Sequence, residues 1–206
     1  GGARARRTVA RSAGGGPPGP DPGPGPLAPG VPADGVTLLT GPSNAGKTRR
    51  TATALRTYVA RHGRAGVVVL EFAPTVVRDG RVLGGRLDRF EVPRVDWVGR
   101  LMAHAPRAES DGDSAALELA RANERNAARL LRAMPSTRAV FVNDATIPFQ
   151  ASGDPSALLA ACTDASPVVC NAFDGDLGEG SVSDGERAAL SGLVDWADRQ
   201  VRLNGT

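Results

Sequence analysis

The stretch TGPSNAGKTRR, residues 40–50, decides the fold of this chain. Within it, residues 41–48 (GPSNAGKT) fit the pattern G-x-x-x-x-G-K-[S/T] at every fixed position. An apolar, β-rich run (VTLLT, 36–40) precedes the pattern, and a segment with helical spacing of its apolar residues follows it. Small residues in such a turn let consecutive backbone N–H groups curl around phosphate oxygens, while the following helix points its positive end at the same anion. The stretch therefore predicts a phosphate-binding loop between a strand and a helix.

The lysine of this pattern, Lys47, is the only lysine in a chain with twenty-four arginines. An ammonium is a compact point charge that reaches the terminal phosphates of a nucleotide, whereas a guanidinium is a planar fork. Thr48 offers a hydroxyl to Mg²⁺. We therefore predict that nucleotide binds at Gly41, Pro42, Ser43, Asn44, Ala45, Gly46, Lys47 and Thr48.

With this motif in this context, the chain resembles the P-loop NTPase superfamily, and its RecA-like, additional-strand ATPase branch is favoured. The resemblance implies ATP and Mg²⁺ as cofactors and an α/β three-layer sandwich. Its mainly parallel sheet would be covered by helices on both faces, with the site at the carboxyl ends of the strands.

Such proteins need a carboxylate at the end of a second strand to orient the magnesium and its waters. Asp144 closes the apolar run AVFVND about a hundred residues after the loop, as a Walker B aspartate does, so Thr48 and Asp144 are the candidate metal ligands. Many ATPases follow this Asp with a Glu that polarises the attacking water, but this chain has Ala145. Glu71, at the end of VVVLEF, matches the placement of the catalytic Glu in RecA-like ATPases. The candidate catalytic residues are Lys47, Glu71 and Asp144.

Two further comparisons bear on the nucleotide and its chemistry. Asn171, ending PVVCN, resembles the polar sensor that many ATPases hold near the γ-phosphate, although a turn would also favour Asn there. The guanine motif N-K-x-D is missing, which favours adenine by default. GPSNAGKT together with NAFDGD (171–176) also resembles the type II thymidine kinases. However, the Asp-Glu pair of that family's second strand is Asn143-Asp144 here, and its four cysteines are missing.

Three functions remain open from the sequence. The first is a Mg²⁺-dependent ATPase that acts on or with a partner, with Glu71 or a partner residue activating water. The second is a small-molecule or nucleoside kinase, whose acceptor pocket would lie in residues 73–112. Arginines are dense in that region and could clamp phosphates or simply be solvated: Arg78, Arg81, Arg86, Arg89, Arg94, Arg100 and Arg107. The third is a nucleotide-dependent binding module with little catalysis.

The pattern of the rest of the chain predicts strands that alternate with helices, which indicates a parallel sheet. Apolar patterning predicts a helix from the loop to Gly63, where glycine ends it, and a helix over 113–134 capped by Asp113 or Ser114. A last helix over 183–198 would open with a capping box, Ser183-x-x-Glu186. The remaining predicted elements are strands at 66–72, 139–144, 167–171 and 200–203, a hairpin turning at 79–80, and a short helix near 155–161.

The first 35 residues contain 8 of the 16 prolines and 10 of the 26 glycines and have no apolar run longer than two residues. Such a segment cannot offset the entropy of ordering, so we predict a disordered tail over 1–35 and one P-loop domain over 36–206. The tail carries a net +2, four Arg against two Asp, of the total formal charge of +3. The charge therefore does not indicate a nucleic-acid partner.

Composition also limits the setting of the protein. No apolar stretch approaches the ~20 residues that would span a bilayer, and no apolar region of a signal peptide follows RARR (4–7). Cys162 and Cys170 form no CxxC, and we interpret them as buried free thiols. These features predict a soluble cytoplasmic protein that has no membrane partner. They leave its oligomeric state open.

Overall fold

The computed structural model of the protein describes residues 25–78, 81–83 and 85–205, and within them the chain is α/β. Its α-helices are α1 (Lys47–His62), α2 (Pro106–Glu109), α3 (Asp113–Arg132), α4 (Ser156–Ala161) and α5 (Ser181–Trp196), and short 3-10 helices cover Leu87–Phe90 and Ile147–Phe149. The strands are β1 (Val36–Gly41), β2 (Val67–Glu71), β3 (Val76–Arg78), β4 (Arg81–Leu83), β5 (Trp97–Arg100), β6 (Ala139–Asn143), β7 (Val168–Phe173) and β8 (Arg199–Arg202).

Six of these strands form one sheet in the order β5-β2-β6-β7-β1-β8, and every neighbouring pair is parallel. β1, which leads into the loop, lies between β7 and β8. All six strands thus end at the same edge, and the residues that follow them gather there. β8 is an edge strand, as the sequence predicts.

Helices cover both faces of the sheet because its central strands are apolar on both sides. Along β2, Val68 and Leu70 pack into a core shared with α3, α4 and α5, whereas Val67 and Val69 pack into a second core shared with α1. Alternate residues of a strand point to opposite faces, so a continuous β-branched run serves two cores at once. The prediction of an α/β fold with a parallel sheet is confirmed.

The ordered chain begins earlier than the composition predicts. Leu27 and Val31 are 1% and 0% exposed and belong to the core beneath α1. Their backbones are hydrogen bonded to each other, Leu27 N to Val31 O at 2.7 Å, and Arg50 and Arg61 of α1 donate to carbonyls of residues 25–29. The predicted boundary at residue 35 is therefore too late. Three buried apolar residues, Leu27, Ala28 and Val31, suffice here because α1 offers them a complementary face. Residues 1–24 lie outside the described part.

Most predicted elements are confirmed within two residues, but two caps are wrong. α5 begins at Ser181 after Gly180; Ser183 donates to Leu177 O, and Glu186 contacts other elements instead of closing a capping box. Asp113 does not cap its own helix either, because its carboxylate accepts from the backbone N–H and the hydroxyl of Ser181. The partners of these side chains lie outside the first turn of their own helix.

Strand β5 and the short helix α2 were missed. β5 is a four-residue edge strand containing a glycine, and its sequence pattern is too short to stand out. Strands β3 and β4 pair antiparallel with Arg78 opposite Arg81, as the predicted hairpin requires, although its turn at 79–80 lies outside the described residues.

Cys162 and Cys170 are buried free thiols, as expected. Burial raises the pKa of the Cys162 thiol to about 12 and raises that of Cys170 as well. Within the described ranges, no helix is both long and apolar enough to cross a bilayer.

The packing of residues 25–33 makes a direct prediction. Leu27→Ala should lower the free energy of unfolding by roughly 2–4 kcal/mol, because the deletion leaves a cavity between this segment and α1. Chemical denaturation measures the change. Met102→Ala is the matched control, since Met102 is 80% exposed and its truncation should cost almost nothing. Equal stability of the Leu27 variant and the wild type would show that the segment does not pack in solution.

Candidate functional site

The loop between β1 and α1 has two residues with a positive φ angle, and the residue types at these positions tolerate it. Gly46 precedes the helix with a φ of 85°, and Asn44 has a φ of 63°, both in the left-handed region. A Cβ on Gly46 would meet nothing within 4 Å, so glycine is required there by conformation rather than by space. The loop folds tightly, with Ala45 N donating to Pro42 O at 3.4 Å.

The first turn of α1 lacks the groups that normally stabilise a helix start. No side chain caps it, and it holds no acidic residue. It carries Lys47, Arg49 and Arg50 instead, which oppose the positive end of the helix dipole. Unsatisfied N–H groups and three cations at one helix end make this a candidate site for an anion.

Lys47 lies inside this site. Its ammonium donates to the carbonyls of Gly41 and Pro42 at 2.7 and 2.6 Å, and it stands 5.7 Å from the centre of the Phe173 ring. Burial lowers the pKa of Lys47, while the negative charges of Asp144 and Asp174 act in the opposite direction. The ammonium is therefore poorly hydrated and close to two carboxylates.

Asp144 follows β6 directly and has strained backbone geometry. Its φ is 55°, a value that few non-glycine residues adopt. Asn171 holds it there, because its side-chain oxygen accepts from Asp144 N at 3.1 Å and its carbonyl accepts from Ala145 N at 2.8 Å. Strain that neighbouring groups maintain is a feature of functional sites.

The carboxylate of Asp144 has an unusual electrostatic environment. Its pKa is raised to about 7, mainly by burial and also by the negative charges of Glu71 and Glu186, while the positive charge of Lys47 acts in the opposite direction. No described residue donates a hydrogen bond to this carboxylate or contacts the Thr48 hydroxyl through one. Both oxygen groups are thus open to a ligand.

A buried chain of polar side chains crosses the ends of β2, β6 and β7. Thr51 donates its hydroxyl to Lys47 O at 3.1 Å and accepts from Asn171 Nδ2 at 2.9 Å. Asn171 Nδ2 also donates to Asn143 Oδ1 at 2.9 Å. Asn143 Nδ2 in turn donates to Glu71 Oε1 at 2.6 Å. The chain connects the first turn of α1 to the end of β2.

Glu71 terminates this chain and accepts three hydrogen bonds. Besides Asn143, Ala73 N donates to Oε1 at 3.2 Å and Leu87 N donates to Oε2 at 2.8 Å. Glu71 is 3% exposed, and its burial raises the pKa of the carboxyl, while these hydrogen bonds act in the opposite direction. Both of its oxygens are occupied.

A second polar cluster lies beside Asp144. Glu186 of α5, 1% exposed, accepts from Arg107 at 2.6 Å, from Gln150 at 2.8 Å and from Thr146 at 3.1 Å. Gln150 Oε1 is buried without a hydrogen-bond partner. The cluster ties α2 and α5 to the turn after β6 and accounts for the effect of Glu186 on the Asp144 pKa.

The structure brings the sequence-predicted residues to one edge of the sheet, although their surroundings differ. Lys47, Thr48 and Asp144 border the open loop, whereas Glu71 and Asn171 are buried beneath it. Asn171 lies within β7, two residues before its end, so it is not a turn residue. Sequence reasoning missed Asn143, Thr51, Asp174, Gly85 and Glu186. An amide within an apolar strand, as at Asn143, was the available signal.

The residues at the loop fit a nucleotide with magnesium. Among the described residues no group of three or more His, Cys, Asp or Glu could hold a metal ion alone. Mg²⁺ is commonly bound through one or two protein oxygens plus substrate phosphates and waters, a role that Thr48 and Asp144 could fill. Two open concavities of about 430 and 500 Å³, lined by residues such as Met102 and Pro32, lie away from the loop.

Comparison of the chain with protein-family models and with curated protein sequences gives no match.

The electrostatics of Asp144 predict a pH-dependent stability. Its folded pKa of about 7 exceeds the ordinary 3.8, so the folded state binds the proton more tightly and stability falls as pH rises between these values. A rise in pKa from 3.8 to about 7 corresponds to a loss of roughly 4 kcal/mol in the free energy of unfolding. We expect about half of this loss, because the Asp144 side chain is partly exposed. Asp144→Asn should therefore be more stable than wild type at pH 8 by about 2 kcal/mol and nearly equal at pH 4.

Urea unfolding at several pH values measures this difference. Asp164→Asn, at an exposed turn position, is the control and should parallel the wild type. A constant offset between Asp144→Asn and wild type across the pH range would contradict the raised pKa.

Proposed function

We propose that the protein is a Mg²⁺-dependent ATPase with a P-loop NTPase fold. One observation carries this proposal: directly after a glycine-bearing loop, α1 begins with free N–H groups and three cations, one of which is the buried Lys47. Triphosphate would relieve each of these unfavourable features at once. A merely structural turn would not need them.

The order of the strands supports the additional-strand branch of the superfamily. β7 lies between the loop strand β1 and β6, the strand that Asp144 follows. This is the arrangement that the name of the branch describes. The helices on both faces of the sheet agree with a three-layer sandwich.

Each residue at the loop has a role in this proposal. The backbone of residues 43–48 binds phosphate oxygens, and Lys47 exchanges its two carbonyl partners for the terminal phosphates. Thr48 and Asp144 would hold the magnesium ion, directly or through its waters. Bound magnesium supplies charge neutralisation of the phosphates. Asp144 is ionised when the metal binds, so binding draws off a proton near neutral pH.

The sequence predicts that Glu71 activates the attacking water. Since both oxygens of Glu71 accept hydrogen bonds, the residue would have to release Leu87 or Asn143 before it could act as a base. A partner residue that completes the site is the alternative from the sequence.

The ion pairs of the 73–112 region weigh against the kinase alternative. Arg86 and Arg100 both pair with Asp88, at 3.3 and 3.4 Å, and Arg107 pairs with Glu186. These pairings reduce the positive charge that a phosphate clamp would require. They leave the ATPase as the better-supported function.

Two measurements test the proposal. Millimolar Mg²⁺·ATP should raise the melting temperature by mass action. Thin-layer analysis of γ-labelled ATP, with and without a panel of metabolites, should then show free phosphate. Labelled metabolite would favour the kinase, and unchanged ATP the binding module. An unmoved melting temperature in a folded sample would contradict nucleotide binding altogether.

Substitution of Lys47 is predicted to separate charge from geometry. Lys47→Arg should be nearly as damaging as Lys47→Ala, because a planar fork misses the oxygens that a compact ammonium reaches. We expect turnover to fall roughly 10²-fold in both. Without nucleotide, stability should change by about 1 kcal/mol or less, because Gly41 O keeps its hydrogen bond from Asp174 N.

Steady-state hydrolysis and melting of the apo protein check this prediction. Arg121→Ala, at an exposed ion pair on α3, serves as the control for loss of a cation. Wild-type turnover in Lys47→Arg would show that any cation suffices. Unfolding of both Lys47 variants would show that the lysine is structural.

A further inference from the structure

Residues 85–90 lie along the side of α1 from which Thr48 reaches the loop. A Cβ on Gly85 would lie 3.0 Å from the Thr48 hydroxyl oxygen, so the backbone of Gly85 faces this hydroxyl closely. Leu87, 2% exposed, enters the core beneath α1. Phe90 contacts Arg49 at 6.0 Å from its ring centre, and its carbonyl accepts from Arg56. The segment therefore covers the first turns of the helix.

The buried polar chain holds this segment in place at two points. Asn143 Nδ2 donates to Gly85 O at 2.7 Å, and Leu87 N donates to Glu71 Oε2 at 2.8 Å. Asn143 also donates to Glu71, so one carboxylate fixes both attachments. Without Glu71, the amide of Leu87 and one hydrogen of Asn143 would be buried without acceptors.

The direction of the hydrogen bonds requires an acceptor at Glu71. Asp144 N must donate to Asn171 Oδ1, which fixes the orientation of the Asn171 amide. Asn171 then donates to Asn143 Oδ1, so the NH₂ group of Asn143 must face Glu71 and Gly85. Donors thus approach both carboxylate oxygens of Glu71. A Gln at 71 has the same shape but would present its NH₂ group to one of these donors.

We propose that Glu71 is a positioning residue: its carboxylate fastens residues 85–90 against Thr48, and this segment forms the wall of the site on the magnesium side. The proposal rests on the function proposed above. It assigns to Glu71 an effect on the affinity for Mg²⁺·ATP, exerted through Gly85 and Leu87. A general base would instead affect turnover.

The first test measures amide hydrogen exchange in residues 85–90 in the absence of nucleotide. In Glu71→Gln, the amide hydrogen of Leu87 should exchange with deuterium roughly tenfold faster or more, because its charged acceptor is lost. Glu118→Gln is the matched control, since Glu118 is exposed and pairs only with Arg121, and it should exchange as wild type. Unchanged protection of Leu87 in Glu71→Gln would overturn the proposal.

The second test measures binding of a non-hydrolysable ATP analogue. Glu71→Gln should weaken binding with Mg²⁺ by about tenfold or more and change binding in EDTA much less, because only the metal-bound form depends on the wall. Lost turnover with unchanged affinity and unchanged Leu87 exchange would identify Glu71 as the base and overturn the proposal. Faster exchange with unchanged affinity would overturn the assignment of the segment as a wall.

If Glu71→Gln does not fold, a second variant tests the same wall. Gly85→Ala places a methyl group against the Thr48 hydroxyl and should raise the Mg²⁺ concentration for half-maximal binding roughly fivefold, since Mg²⁺ tolerates little distortion of its ligands. Gly25→Ala, where a Cβ meets nothing within 4 Å, is the control. Unchanged Mg²⁺ dependence in Gly85→Ala would contradict the proposal.

A wild-type chain that binds no ATP would refute the proposed function, and Leu87 exchange would still decide whether Glu71 holds the segment.

Discussion

The hydrogen bond between the Asn143 and Asn171 side chains joins the two parts of the buried polar chain on which the candidate site depends. On one side, Asn171 reaches α1 through Thr51 and supports the strained backbone of Asp144. On the other, Asn143 reaches Glu71 and Gly85. Because every amide hydrogen of the two asparagines has an acceptor, the chain is a fully satisfied network. Such networks fix one arrangement, whereas partly satisfied ones destabilise the core.

The loop has the opposite character, since several of its features are unfavourable in the absence of a ligand. The start of α1 carries cations and no cap, and the Lys47 ammonium is poorly hydrated. Asp144 has a strained backbone and a partly buried carboxylate. The rigid polar network and the unsatisfied loop above it therefore have different functions. The network holds charged groups in positions that they would leave if they were free to move, and binding of an anion with its metal offsets the cost.

The segments outside the sheet also serve to position the first helix. Residues 25–33 pack beneath α1 through Leu27 and Val31, and residues 85–90 pack along it through Leu87. On the opposite face, α5 is held by Asp113 at its start and by the Arg107–Glu186 ion pair one turn later. Elements with little regular structure of their own therefore determine how rigidly the loop is presented.

The sequence by itself determined the parts of this protein that depend on local patterns. Glycine spacing and the lysine at position 47 predicted the loop, and apolar runs predicted the strands and the main helices, because these features act within about ten residues. Only the tertiary structure decided which side chains meet. The sequence predicted a catalytic role for Glu71 at the end of a strand, yet its hydrogen-bond partners come from β6 and from a residue sixteen positions later. Asp113 and Glu186 were assigned to caps of their own helices but bind to other elements. The physical reason is that a carboxylate or an amide accepts hydrogen bonds from any donor that the fold brings near, so its partner is set by the strand order and not by its neighbours in the chain.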